Sequence, residues 1–131
     1  MSTESFGVKQ SFKAAANYSA NQYYLMYISG DNTVTLCGAA GLVIGIMYGK
    51  PEKDAYGDVL TASGVMAKVI VGDTVVAGNL LESDASGRAV AFTYDSNGAN
   101  ATYSIGRAVT GGAENGIITV LTGFCPAGFT T

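Results

Sequence analysis

The sequence predicts an all-β protein, a small single-domain antiparallel β-barrel or sandwich with an extended N-terminal arm. Three observations carry this. Short β-branched runs are separated by glycine-bearing turns, most densely between Gly64 and Thr93. No stretch holds an apolar 3.6-residue period, so nothing reads as an amphipathic helix. The chain carries 18 glycines and only 2 prolines in 131 residues, a composition suited to many tight turns.

The bulk numbers narrow the function. Apolar residues make up 48% and charged residues only 13%, about half the usual share. High hydrophobicity with low charge is not a disorder signature. A surface so poor in charge is weakly defended against association, which reads as life inside an assembly or as a small neutral monomer. Seven Lys and Arg against ten Asp and Glu leave a net charge of −3 and no basic stripe, so nucleic acid is not an expected partner. No apolar run reaches membrane-spanning length, and the first residues lack a signal-peptide pattern. Synthesis and folding in a reducing cytoplasm are therefore expected, with Cys37 and Cys125 as free thiols.

Taken in order, residues 1–20 mix small and polar residues with spaced Phe6, Val8, Phe12 and Tyr18. They read as an arm whose aromatics anchor on a partner, with Lys9 and Lys13 among them, or else as a partly ordered terminus. Residues 21–123 read as the β-domain. Its first element is a hairpin, with the dense run Tyr23–Ile28, a turn at Gly30-Asp31-Asn32, and the alternating Thr33–Cys37. Tyr23, Tyr24 and Tyr27 can face solvent or an interface, with the ring packed and the hydroxyl wet. Leu42–Tyr48 follows as a strand in which Gly45 marks a bulge or a close approach. The charged loop 49–56 contains Pro51, which argues against continued pairing. Gly57–Ala62 resumes a short strand.

The stretch 64–93 then predicts a meander of consecutive antiparallel strands, turning at Gly72-Asp73, Gly78-Asn79 and Ser86-Gly87. A polar loop with an Asn97-Gly98 turn precedes two last strands, Ala101–Thr110 and Ile117–Thr122. Residues 124–131 form a small-residue tail. One internal echo stands out: Ile44-Gly45 leads, twelve residues after the glycine, to Gly57-Asp58 and then Val59-Leu60-Thr61, and Ile105-Gly106 leads, ten residues after the glycine, to Gly116 and then Ile117-Ile118-Thr119-Val120-Leu121-Thr122. It reads either as a duplicated β-unit or as coincidence in a Gly/Val/Thr-rich chain.

Catalytic chemistry is hard to build from this sequence. Without histidine there is no Ser-His or Cys-His pair, and two cysteines make no zinc cluster, so neither an enzyme nor a cofactor is expected. The carboxylate pairs Glu52/Asp54 and Glu82/Asp84 read as solvated turn residues rather than an acid/base dyad.

The central stretch, Gly64-Val-Met-Ala-Lys-Val69, Val71-Gly-Asp73, Val75-Val-Ala-Gly-Asn-Leu80 and Ser83-Asp-Ala-Ser-Gly-Arg-Ala-Val-Ala91, resembles the capsid decoration, or cement, proteins of tailed bacteriophages. Ser11–Tyr24, Leu42–Pro51, Ile105–Val109 and Asn115–Leu121 resemble further motifs of that family, in the family's order. The Tyr-rich first hairpin, the Asp95–Asn100 loop and the C-terminal tail depart from it. The resemblance implies a head-stabilising virion protein made in a bacterial host. It would bind the outside of an icosahedral capsid, bridge major capsid proteins and associate with itself as a homotrimer. The arm residues Phe6, Val8, Lys9, Phe12, Lys13 and Tyr18 would then contact the capsid, and Tyr23, Tyr24 and Tyr27 would join the copies. Two alternatives stay open. A lipoyl- or biotinyl-like carrier shares the Gly72-Asp73…Gly78 turn, but Leu80–Ala89 offers Arg88 and no lysine to modify. A carbohydrate-binding β-module would use exposed tyrosines as stacking platforms.

Overall fold

A computed structural model describes residues 9–39, 41–92 and 103–124, and among them there are ten strands and no helix. The first five are β1 (Lys9–Ala14), β2 (Leu25–Gly30), β3 (Thr33–Leu36), β4 (Gly45–Met47) and β5 (Tyr56–Leu60). They close into a barrel in the order β1-β3-β2-β4-β5, with β1 returning to β5. All its pairs are antiparallel except β1 with β3. The predicted hairpin is β2–β3, turned at Asp31-Asn32, where Asn32 takes the left-handed conformation (φ 53°) that asparagine tolerates. Gly45 makes the close approach expected of it, since a Cβ there would collide with the Leu60 carbonyl.

The arm expected over residues 1–20 is corrected for its described part. Residues 9–14 are β1, which pairs with β5 from Lys9 opposite Leu60 to Lys13 opposite Tyr56. The pleat turns Lys9 and Ser11 outward and Phe12 and Ala14 toward the interior. The barrel interior is filled by Ala14, Tyr18, Met26, Val34, Met47 and Val59. Without β1 the barrel has no closing strand.

The remaining strands are β6 (Met66–Ile70), β7 (Leu80–Ser83), β8 (Ala89–Ala91), β9 (Gly106–Ala108) and β10 (Ile117–Thr122), in the order β6-β10-β9-β7-β8. The meander expected over 64–93 is therefore only partly formed. β7 and β8 make the expected hairpin, but β6 pairs with the distant β10. The β-branched run Thr74–Ala77 is loop, with a single bridge from Val75 to Gly112.

The second sheet repeats the first strand for strand. β6, β7, β8, β9 and β10 hold the neighbours that β1, β2, β3, β4 and β5 hold, and the parallel bridge Val71–Ala89 stands where Ala14 pairs with Val34. The irregular segments repeat as well. Tyr18 N–H donates to Pro51 C=O (2.8 Å) as Val75 N–H does to Gly112 C=O (2.9 Å). Tyr23 N–H donates to Met47 C=O as Gly78 N–H does to Ala108 C=O. Left-handed Tyr23 and Asp54 match left-handed Gly78 and Asn115. Gly106 faces the Leu121 carbonyl as Gly45 faces that of Leu60. The echo of Ile-Gly and Val-Leu-Thr in the sequence is thus a duplicated five-stranded unit. In the second copy Val71, Val75, Leu81, Ala89, Ala108 and Val120 take the interior places.

The repeats are joined through backbone and core. In the first, Lys13 N–H donates to Asn32 C=O (2.8 Å) and seals β1 against the hairpin. In the second, that seam is opened by a piece of the first: Ile70 N–H donates to Tyr23 C=O (3.1 Å), and Leu25 N–H donates to Gly87 C=O (2.7 Å). Leu25, Ile46 and Leu60 point away from the first interior and are buried in one cluster with Ala67, Val69 and Ile105 of the second repeat. One cluster therefore takes in residues of both repeats, while the first barrel's interior forms a second cluster, within one small all-β domain.

Candidate functional site

The described residues contain no cluster of His, Cys, Asp or Glu able to hold a metal ion. Cys37 is buried and free, and burial pushes its thiol pKa up, away from a reactive thiolate. Asp54 lies in an exposed loop beside Lys13 (3.7 Å) and Lys53 (3.3 Å), which fits a solvated turn. Asp84 instead ties the β7–β8 turn together. One carboxylate oxygen accepts from the Ser86 and Arg88 N–H groups (both 2.8 Å), and the other from Arg88 Nε (3.1 Å). Arg88 reaches on to Asn115 Oδ1 (2.9 Å), so the turn where a carrier module would present its lysine holds a clamped arginine.

The residues expected to contact a partner divide sharply. Phe6 and Val8 lie outside the described residues. Lys9 is exposed, with its ammonium 5.0 Å from the Tyr48 ring centroid, and Lys13 is half-buried beside Asp54. Phe12 packs against the first barrel's interior. Tyr18 is only 5% exposed, and its hydroxyl is bonded to Thr35 Oγ1 (2.6 Å). Phe12 and Tyr18 are thus core residues rather than anchors, because barrel closure turns them inward.

The tyrosines assigned to an interface are placed differently from one another. Tyr24 packs on the first interior. Tyr23 joins the seam between repeats, its ring edge-on to Tyr48 at 5.2 Å. Tyr48 OH accepts the Lys68 N–H of the second repeat (2.7 Å), and burial pushes the phenol pKa up. Only Tyr27, at 40% exposure, stays open on the outer surface, beside exposed Ile28.

The larger apolar surface lies elsewhere. On the outer side of β6 and β10, Met66 (62% exposed) pairs across the strands with Leu121 (46%), and Ile117 (55%) with Ile70. Sequence reasoning missed this face. The run Ile117–Leu121 is nearly continuous in apolar residues, so its pattern does not say which side is covered.

No protein-family profile and no characterised protein matches the chain by sequence. Its backbone is similar to the crystal structure of the head fiber gp8.5 N base in bacteriophage phi29. The TM-score is 0.70 at 21% identity, over 92% of this chain and 97% of that one. What the two share is the fold.

Proposed function

We propose that this protein is a structural component of a phage virion. It binds the outer surface of the icosahedral head as a homotrimer and stabilises the head by bridging major capsid proteins. The observation that carries the reading is the likeness of nearly the whole chain to the base of a phage head fiber. The ordered resemblance to phage cement proteins supports it independently. The surface is compatible, since low charge and exposed Tyr27, Ile28, Met66, Ile117 and Leu121 suit association and many identical copies multiply weak contacts. A non-catalytic role agrees with the lack of histidine.

The test is co-sedimentation of purified protein with undecorated phage heads. Saturable pelleting, together with a higher temperature of genome release, is expected. Protein that stays in the supernatant at every concentration contradicts the reading. Because β1 belongs to the barrel, Phe6 and Val8 carry what is left of the arm assignment. A variant lacking residues 1–8 is expected to fold and bind heads more weakly, and undiminished binding removes that assignment.

A further inference from the structure

The duplication supplies an internal control for the connection between β4 and β5. Its backbone is repeated, bond for bond, between β9 and β10. The Tyr48 and Gly49 N–H groups donate to Asp58 C=O (2.8 and 3.2 Å), as those of Val109 and Thr110 do to Thr119 C=O (2.8 and 3.3 Å). Asp54 N–H donates to Ala14 C=O (2.9 Å) as Asn115 N–H does to Val71 C=O (2.8 Å). Ala55 N–H donates to Glu52 C=O (2.9 Å) as Gly116 N–H does to Ala113 C=O (2.8 Å). The side chains are not repeated. Lys50, Glu52, Tyr56 and Asp58 stand where the second repeat has Gly111, Ala113, Ile117 and Thr119. The same turn thus closes without the charges and the ring that the first repeat carries, so its shape does not require them.

Those side chains line one cleft of about 440 Å³ over the β4–β5 connection. Tyr56 and Asp58 project from the same outward side of β5, and Tyr56 is 59% exposed. Lys50 and Glu52 come from the loop, and neither forms an ion pair among the described residues. One Asp58 carboxylate oxygen accepts from Ser11 Oγ (3.3 Å). Pro51 is buried against Gly57, where a Cβ would collide with the proline ring, so this part of the cleft is fixed before any ligand arrives.

We propose that this cleft is a carbohydrate-binding site that takes a neutral oligosaccharide. The ligand must offer a flat apolar face to the Tyr56 ring, hydroxyl donors to the Glu52 and Asp58 carboxylates, and an acceptor to the Lys50 ammonium. A pyranose carries all three: a C–H face, several O–H groups, and ring and hydroxyl oxygens. An anionic ligand meets two carboxylates against one ammonium and is disfavoured. The cleft is open and half polar, which suits a hydroxylated ligand better than a wholly apolar one.

Binding by the purified full chain tests this without heads, so its outcome is separate from the virion reading. The probe is an array of neutral oligosaccharides (glucans, mannans, galactans and chito-oligosaccharides). Each bound member is then titrated into isotope-labelled protein. Saturable binding is expected, with backbone resonance shifts concentrated at residues 49–58. Tyr56→Ile and Asp58→Thr copy the second repeat, so each is expected to keep the circular dichroism spectrum and to weaken binding about tenfold or more. If either fails to fold, Glu52→Gln and Lys50→Ala, both in the loop, decide by the same loss. Several results would overturn the proposal: no binding on the array or at about 10 mM saccharide in solution, shifts confined to other residues, or undiminished binding by folded Tyr56→Ile. Shifts at residues 49–58 caused by a casein digest, an unstructured peptide mixture, and by no oligosaccharide would overturn it as well.

Discussion

Gly45 and Gly106 are the residues on which each repeat turns most tightly. A Cβ at either would run into a cross-strand carbonyl, of Leu60 or Leu121, and Gly106 also has φ 133°. Gly45→Ala and Gly106→Ala are each expected to destabilise by about 1–3 kcal/mol or more, from overpacking and, at Gly106, backbone strain. Thermal melts of the two variants check this. In the first interior Met26 is fully buried, and Met26→Ala is expected to cost ~2–5 kcal/mol, read as a fall in the denaturant midpoint at unchanged slope. Tyr48 gives a pH signature. Its phenol pKa is raised by burial in the fold, so the unfolded chain ionises first as pH rises through the ordinary tyrosine range. The stability Tyr48 contributes is full below that range and is lost as pH climbs through the raised folded value. Tyr48→Phe is expected to flatten this alkaline decline. It also removes the acceptor of the Lys68 N–H, at a cost of ~0.5–1.5 kcal/mol near neutral pH. An alkaline stability series on both proteins checks the slope and the offset together.

At the scale of elements, β1 decides how the N-terminal region is understood. Lys9–Ala14 was hard to read as a strand because its inward residues, Phe12 and Ala14, alternate with polar ones over too short a span. Its value also lies in a pairing with β5, far along the chain, which local pattern does not reveal. Removing residues 1–14 is therefore expected to abolish cooperative unfolding, because the first barrel loses both its closing strand and the Ala14 contact. Retained cooperative unfolding of that truncation would contradict the role given to β1. Other elements were legible. The Asp31-Asn32 turn, the Gly45 approach, the β7–β8 hairpin and β10 carry strong local chemistry. The run Thr74–Ala77 misled because β propensity records fit to a pleated surface, and here the backbone had a different partner in the Gly112 loop. The tyrosines are ambiguous in sequence for a different reason: their amphipathic rings suit a seam within the chain as well as one between chains, and Tyr23 meets Tyr48 in the former.

For the whole molecule, the sequence held the duplication only as Ile-Gly and Val-Leu-Thr, because the interior residues of the two repeats differ in type: Tyr18 against Val75, Met47 against Ala108. The repeated quantity is backbone geometry, carried by glycines, left-handed turn residues and hydrogen bonds in which side chains take no part. Because Tyr23–Leu25 is bonded into the second repeat and one core cluster is built from residues of both, the two repeats are expected to unfold together. Calorimetry of the wild type should give one transition whose van't Hoff and calorimetric enthalpies agree, and two resolved transitions would contradict the shared core. The candidate face escaped sequence reading for a related reason. Leu60 and Leu121 are the same residue at the same position of the repeat, and only the assembled fold separates the covered one from the open one. The most direct test of the virion role is electron cryomicroscopy of undecorated heads incubated with the protein. New density on the outer surface, into which this ten-stranded fold fits and which contacts neighbouring capsid subunits, is the predicted result. An outer surface unchanged at saturating protein would contradict it.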